Sequence, residues 1–143
     1  MGMISIYPAC FYENKDGSYT VIFPDLDYTA TQGDNLEDAF AMAVDCLAGY
    51  LYTSLENHES FPKASVMSSI DPKKVLQEID CDDDDKGFVN MVTVDVKSYA
   101  RDHFEKSVKK TLTIPVWLDE AAKAQHINFS KVLQKALKEE LRM

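Results

Sequence analysis

No apolar run in this 143-residue sequence approaches the ~18 residues needed to cross a bilayer, which argues against a membrane-spanning helix. The opening stretch MGMISIYP also lacks the basic region and long apolar segment of a signal peptide, so a cytoplasmic location is expected. Cysteine is scarce. Cys10, Cys46 and Cys81 are odd in number and roughly 35 residues apart, which fits neither a disulfide framework nor a CxxC metal knuckle. They read as reduced, mostly buried small hydrophobes. Histidine is equally sparse, and His58, His103 and His126 are scattered without the paired spacing of a zinc site. No serine or cysteine stands in a recognisable nucleophile motif, so covalent catalysis has no support and no cofactor is implied.

What is present describes a folded protein. The chain is 45% hydrophobic with a mean hydropathy of −0.27, too apolar for wholesale disorder. Its length suits one ordinary domain or a smaller one with an appendage. Charge separates the two halves: residues 1–96 hold 5 Lys+Arg against 18 Asp+Glu, whereas residues 97–143 hold 10 against 6, giving −13 and +4 within an overall −9. An acidic body attracts a basic partner and repels nucleic acid; a basic tail does the reverse.

Strand signals come first. ISIYPACFYE (4–13) and SYTVIF (18–23) are rich in β-branched and aromatic residues and flank the turn NKDG, which reads as a hairpin. A short run, DYTATQ (27–32), extends this to a three-stranded meander. Asp34 with Glu37 resembles a capping box, and Leu36, Ala39, Phe40, Ala43, Val44, Leu47, Leu51 and Leu55 recur at helical spacing, predicting a helix that lays one face on the sheet. Residues 56–87 are loop-rich, with a short helix at 72–79. FVNMVTVDV (88–96) returns to a strand pattern able to rejoin the sheet. KSYARDHFEKS (97–107) reads as a polar, partly helical linker, so the expected organisation is a domain at 1–96, a linker at 97–106 and a second domain at 107–143.

That last segment poses a physical problem. KKTLTIP (109–115) alternates like a strand, VWLDEAAKAQ (116–125) is a short amphipathic helix, HIN turns, and Asn128 or Ser130 caps a final helix striped with Val132, Leu133, Ala136, Leu137 and Leu141. One strand without a partner leaves backbone donors and acceptors unpaired, and two short helices form too small a core to stand alone. The same strand from a second copy supplies the missing mate as an antiparallel ribbon. Leu112 and Ile114 then point into the helices, joining Val132, Leu133 and Leu137 in a dimer core that Trp117 anchors. Lys109, Thr111 and Thr113 form the opposite, cationic face. A two-stranded ribbon fits the DNA major groove, where Thr and Lys can read base edges and phosphates. The start of the final helix at Asn128, Phe129 and Ser130, beside Lys131, offers free amides suited to a phosphate.

VKKTLTIPVWLDEAAKAQHINFSKVLQKALKEEL resembles a ribbon-helix-helix DNA-binding module over about the last 36 residues. Lys110 stands where an apolar residue is usual, His126 replaces the usual turn glycine, and Phe129 takes a position where a basic residue is common. The front segment SYTVIFPDLDYTATQGDNLEDAFAMAVDCLAGYL, with GFVNMVTVDV, resembles the HicB antitoxin family, although the family's PDLPGC is here PDLDYT. The resemblance implies an α+β protein: a partial RNase H-like sheet packed on one long helix, followed by a small ribbon-helix-helix dimerisation domain. It further implies an antitoxin, not an enzyme. The N-terminal domain would bind a small basic HicA-type mRNA-cleaving toxin, and the C-terminal dimer, with a tetramer as a further option, would repress the operon at double-stranded operator DNA.

Other readings are weaker. An RNase H-like outline raises a metal-dependent nuclease with a dimerising tail, and Asp25, Asp27 and Asp95 are its candidate carboxylates, but the first strand has no carboxylate before Glu13. Asp25 more simply shapes a turn after Pro24. Counting a calcium loop from Asp82 puts Gly87 at its sixth position, yet Lys86 falls on a ligand slot and Thr93 where the bidentate Glu belongs, so no metal is expected and DDDDK reads as a solvated acidic loop. A repressor whose first domain senses a small ligand is the third option.

Overall fold

The computed structural model describes residues 3–81 and 86–143. It divides into two compact units, Met1–Lys106 and Ser107–Met143. The first is built on a four-stranded sheet of order β3-β2-β1-β4, with β1 at Ile4–Glu13, β2 at Tyr19–Phe23, β3 at Thr29–Gly33 and β4 at Gly87–Asp95. All pairings are antiparallel. The expected meander is present, and β4 rejoins it along the far side of β1.

β1 explains why its sequence is apolar at almost every position. Alternate side chains leave opposite faces of a strand. Tyr7, Ala9 and Phe11 pack on one side with the long helix α1 (Leu36–Glu56). Cys10 and Tyr12 pack on the other with Val75 and Leu76 of the short helix α2 (Pro72–Glu78). Pro8 is tolerated because the ladder to β2 begins only at Cys10 opposite Ile22, so at Pro8 the strand has β4 alone beside it.

α1 starts one residue later than the capping pattern suggests. Asn35 accepts from the Asp38 amide at 2.9 Å, and Asp38 in turn accepts from the Asp34 amide at 2.8 Å. Of the predicted apolar stripe Ala39, Ala43, Leu47 and Leu51 are buried and Phe40 and Val44 half-buried, whereas Leu36 and Leu55 at its ends are exposed. The turn into β3 takes Asp27 and Tyr28 at φ 54° and 58°, so the strand begins two residues after the expected start.

The partly helical linker expected at 97–106 is a helix over most of its length, and it packs on the first unit. Asp95 caps α3 (Val96–His103) by accepting from the Ser98 amide at 3.2 Å, and Val96 and Ala100 are buried. The Tyr99 hydroxyl reaches Asp45 of α1 at 2.9 Å. This apolar face is only Val96, Tyr99, Ala100 and Phe104, narrow enough to be hidden in a polar sequence. The unit boundary therefore falls after Lys106 and not at residue 96.

Gly33 marks the closest approach between sheet and helix. A Cβ there would lie 2.3 Å from the Ala39 nitrogen, backbone that cannot move aside. Gly33→Ala is expected to destabilise the first unit by about 3 kcal/mol or more, while Gly17→Ala, strained at φ 88° but in open space, costs about 1 kcal/mol. Urea-unfolding midpoints compare the two directly, and equal midpoints would contradict the packing described.

Candidate functional site

The second unit has two helices, α4 (Val116–Ala124) and α5 (Phe129–Glu140). α4 ends in a Schellman-type arrangement: the His126 amide bonds the Lys123 carbonyl at 3.0 Å and the Ile127 amide bonds the Ala122 carbonyl at 3.1 Å. His126 takes the left-handed position, φ 55°, that glycine usually fills. Asn128, not Ser130, caps α5, accepting from the Lys131 amide at 3.1 Å, and Ser130 instead accepts from Gln134 at 3.0 Å. The amides of Phe129 and Ser130 stay outside the helical ladder, as first-turn donors do.

Residues 107–115 form no strand within the single chain. The expected ribbon strand is therefore absent here: among the described residues Lys109–Ile114 joins no ladder, and the one sheet is the four-stranded sheet of the first unit. Lys109, Thr111 and Thr113 are all exposed. So are Leu112 (63%), Trp117 (69%), Ile114, Val132 and Leu137; Leu133 is half-buried. No residue of α4 or α5 is buried. At about 25 cal/mol per Å² of apolar surface, a unit that covers so little of its own lacks the main source of folding stability.

The first unit carries 8 Lys+Arg against 20 Asp+Glu, net −12, and the second 7 against 4, net +3. Among the described residues the one ion pair, Asp119 with Lys123 at 2.9 Å, lies in the second unit, so no carboxylate of the first is neutralised that way. The nuclease candidates are occupied separately. Asp25 accepts from the Ser65 amide and hydroxyl at 2.7 and 2.6 Å, tying the segment after α1 to the β2–β3 turn and not merely shaping its own turn. Asp27 accepts from the Tyr50 hydroxyl at 2.7 Å, and Asp95 caps α3. Among the described residues no group of three or more His, Cys, Asp or Glu is disposed around a common point. Asp82–Asp85 of the calcium-loop reading lie outside the described residues.

A groove of about 430 Å³ runs beside the second half of α1, lined in part by Thr29, Asp45, Gly49, Tyr50, Glu59 and Phe104. The sequence reading did not single it out. A glycine inside a helical stripe was its one available signal.

The sheet with its long helix, followed by a small helical unit with an open apolar surface, is the architecture of an antitoxin from a bacterial toxin–antitoxin system. Residues 7–137 match the family described as HicB_like antitoxin of bacterial toxin-antitoxin system, and the chain belongs to that family. It is 38% identical over 56 residues to Antitoxin HicB 1 of Photorhabdus laumondii subsp. laumondii, a stretch covering 39% of this chain and 36% of that relative. Among solved structures it resembles a chain of the toxin–antitoxin complex from Streptococcus pneumoniae, with a TM-score of 0.63 and 32% identity over 96% of this chain and 99% of that one. The Burkholderia pseudomallei antitoxin HicB covers 96% of each chain at 18% identity and a TM-score of 0.47. Among the described residues no helix is long and apolar enough to cross a membrane.

Tyrosine hydroxyls fasten the first unit. Tyr12 donates to the Pro72 carbonyl at 2.7 Å, and burial drives its pKa far above the ordinary 10.0. Burial also raises Tyr7 and Tyr99, while hydrogen bonds to Glu78 and Asp27 raise Tyr28 and Tyr50. A group whose pKa is higher folded than unfolded holds its proton longer in the native state. Its contribution is complete below the unfolded value and lost as pH rises above it. Urea unfolding of the first unit is accordingly expected to need less denaturant at about pH 11 than at about pH 8, and Tyr12→Phe is expected to reduce that difference. A pH-independent midpoint across this window would contradict the assignment.

Proposed function

We propose that the acidic first unit binds and neutralises a small basic HicA-type mRNA-cleaving toxin, and that the second unit forms a ribbon-helix-helix dimer repressing its own operon in the cytoplasm. Neither activity requires the chain to catalyse a reaction. The observation carrying the DNA half is that residues 107–143 expose their apolar side chains and leave a strand-patterned segment unpaired. A second copy satisfies both needs at once. Pairing Lys109–Ile114 with its symmetry mate would cover Leu112 and Ile114 against Trp117, Val132, Leu133 and Leu137. Lys109, Thr111 and Thr113 would then lie on the groove-facing side. The first-turn amides of α5, with Lys131 adjacent, would clamp phosphate at each edge of the ribbon.

The toxin half is supported by the first unit's net charge of −12, which speeds encounter with a cationic protein. The Streptococcus pneumoniae relative belongs to a toxin–antitoxin complex.

Lys109→Ala combined with Thr111→Ala is expected to abolish shifting of the operon's promoter DNA while leaving the sedimenting species a dimer. Unchanged affinity would sink the groove assignment. Wild-type binding should weaken steeply with salt, at a slope of about −0.9 in log K against log salt for each phosphate contacted. Leu112→Glu places a charge in the proposed dimer core. It is expected to yield a monomer with an intact first unit and no DNA binding, and a dimer surviving this change would refute the ribbon pairing.

A further inference from the structure

Gly49 sits inside α1, where glycine is the least favourable residue short of proline. Its φ is not positive, and an added Cβ would meet nothing nearer than the Phe104 ring at 3.9 Å, an ordinary contact distance. Unlike Gly33, then, it is demanded neither by conformation nor by packing. What its missing side chain does is open the floor of the groove beside α1.

The walls of that groove are chemically consistent. Asp45 and Thr53 stand one turn before and after Gly49 on the same helical stripe. The Tyr99 hydroxyl holds Asp45 through Oδ1, leaving Oδ2 without a hydrogen bond among the described residues. The Glu59 carboxylate likewise has no hydrogen bond or ion pair among them, and Tyr50 and Phe104 add aromatic surface. The last turn of α1 contains no basic residue and ends in Glu56, so no side-chain cation offsets the negative end of the helix dipole, which backbone amides alone cap. Two carboxylates with spare acceptor capacity, aromatic walls and a net charge of −12 select a cationic occupant. A planar guanidinium satisfies carboxylate and aromatic partners together better than an ammonium does.

We infer that this groove seats a cationic side chain, arginine before lysine, projecting from the basic toxin. The inference rests on the toxin-binding reading above and adds the point of contact. The test is calorimetric titration of the full chain with the small basic toxin encoded beside it. Gly49→Leu fills the groove floor with a good helix former, and Glu59→Gln removes one carboxylate at an exposed position. Each is expected to weaken toxin binding about tenfold or more, whereas Glu37→Gln, at the opposite end of α1, should change it by less than about twofold.

Gly49→Ala is expected to melt at a higher temperature than wild type. A lower melting temperature would make the glycine structural and remove the argument for an open floor. If toxin binds both groove variants as tightly as wild type, the groove assignment is overturned while toxin binding stands. If wild type itself fails to bind the toxin, the functional reading and this inference fall together.

Discussion

A 37-residue unit in which no residue of either helix is buried has no interior to hold it together. Its capping is sound: Asn128 closes the start of α5, and a Schellman-type turn at His126 closes the end of α4. Caps contribute about 1 kcal/mol each and cannot stand in for a core. Isolated helices of 9 and 12 residues are marginal in water. Under the proposed ribbon pairing, a second copy would supply both the apolar contact and the backbone partners for residues 109–114. Those two debts define the second unit more sharply than any single side chain in it.

The first unit has the opposite character. β1 is covered on both faces, α1 buries Ala39, Ala43, Leu47 and Leu51, and α3 adds Val96 to the same core with Tyr99 packed against it. With its interior complete, its surface is strongly acidic, with no internal ion pair among the described residues. Such a surface is costly through self-repulsion and becomes an asset only when a cationic partner is present. The division into a self-sufficient acidic unit and a dependent basic one agrees with membership of an antitoxin family.

Much of this could be read from residue patterns. The long helix and the two terminal helices were legible by apolar spacing near 3.6, the strands by their β-branched and aromatic residues, and the short helix by Pro72 at its start. α3 was legible only as partial helix and not as part of the first unit, because only Val96, Tyr99, Ala100 and Phe104 face inward, and Lys97, Arg101 and Asp102 dominate the composition around them. Register was invisible as well. That Asp25 would meet Ser65, or Tyr99 meet Asp45, depends on long-range packing that local pattern does not encode. At the candidate DNA face the residue types were legible, but the strand they were expected to form depends on hydrogen bonds the single chain cannot supply.

The β2–β3 turn shows how one sequence departure is accommodated. Where the related pattern has Pro-Gly-Cys this chain has Asp27-Tyr28-Thr29, placing two side-chain-bearing residues at positive φ, each at a cost of about 1–2 kcal/mol. The same side chains offset that cost. Asp27 accepts from Tyr50 of α1, Tyr28 donates to Glu78 of α2, and Leu26 between them and Asp25 is fully buried. The turn thus fastens helices on both faces of the sheet to one edge. Tyr50, which lines the groove beside α1, is held by its bond to Asp27, so the left-handed turn at Asp27 and one wall of the groove share a contact.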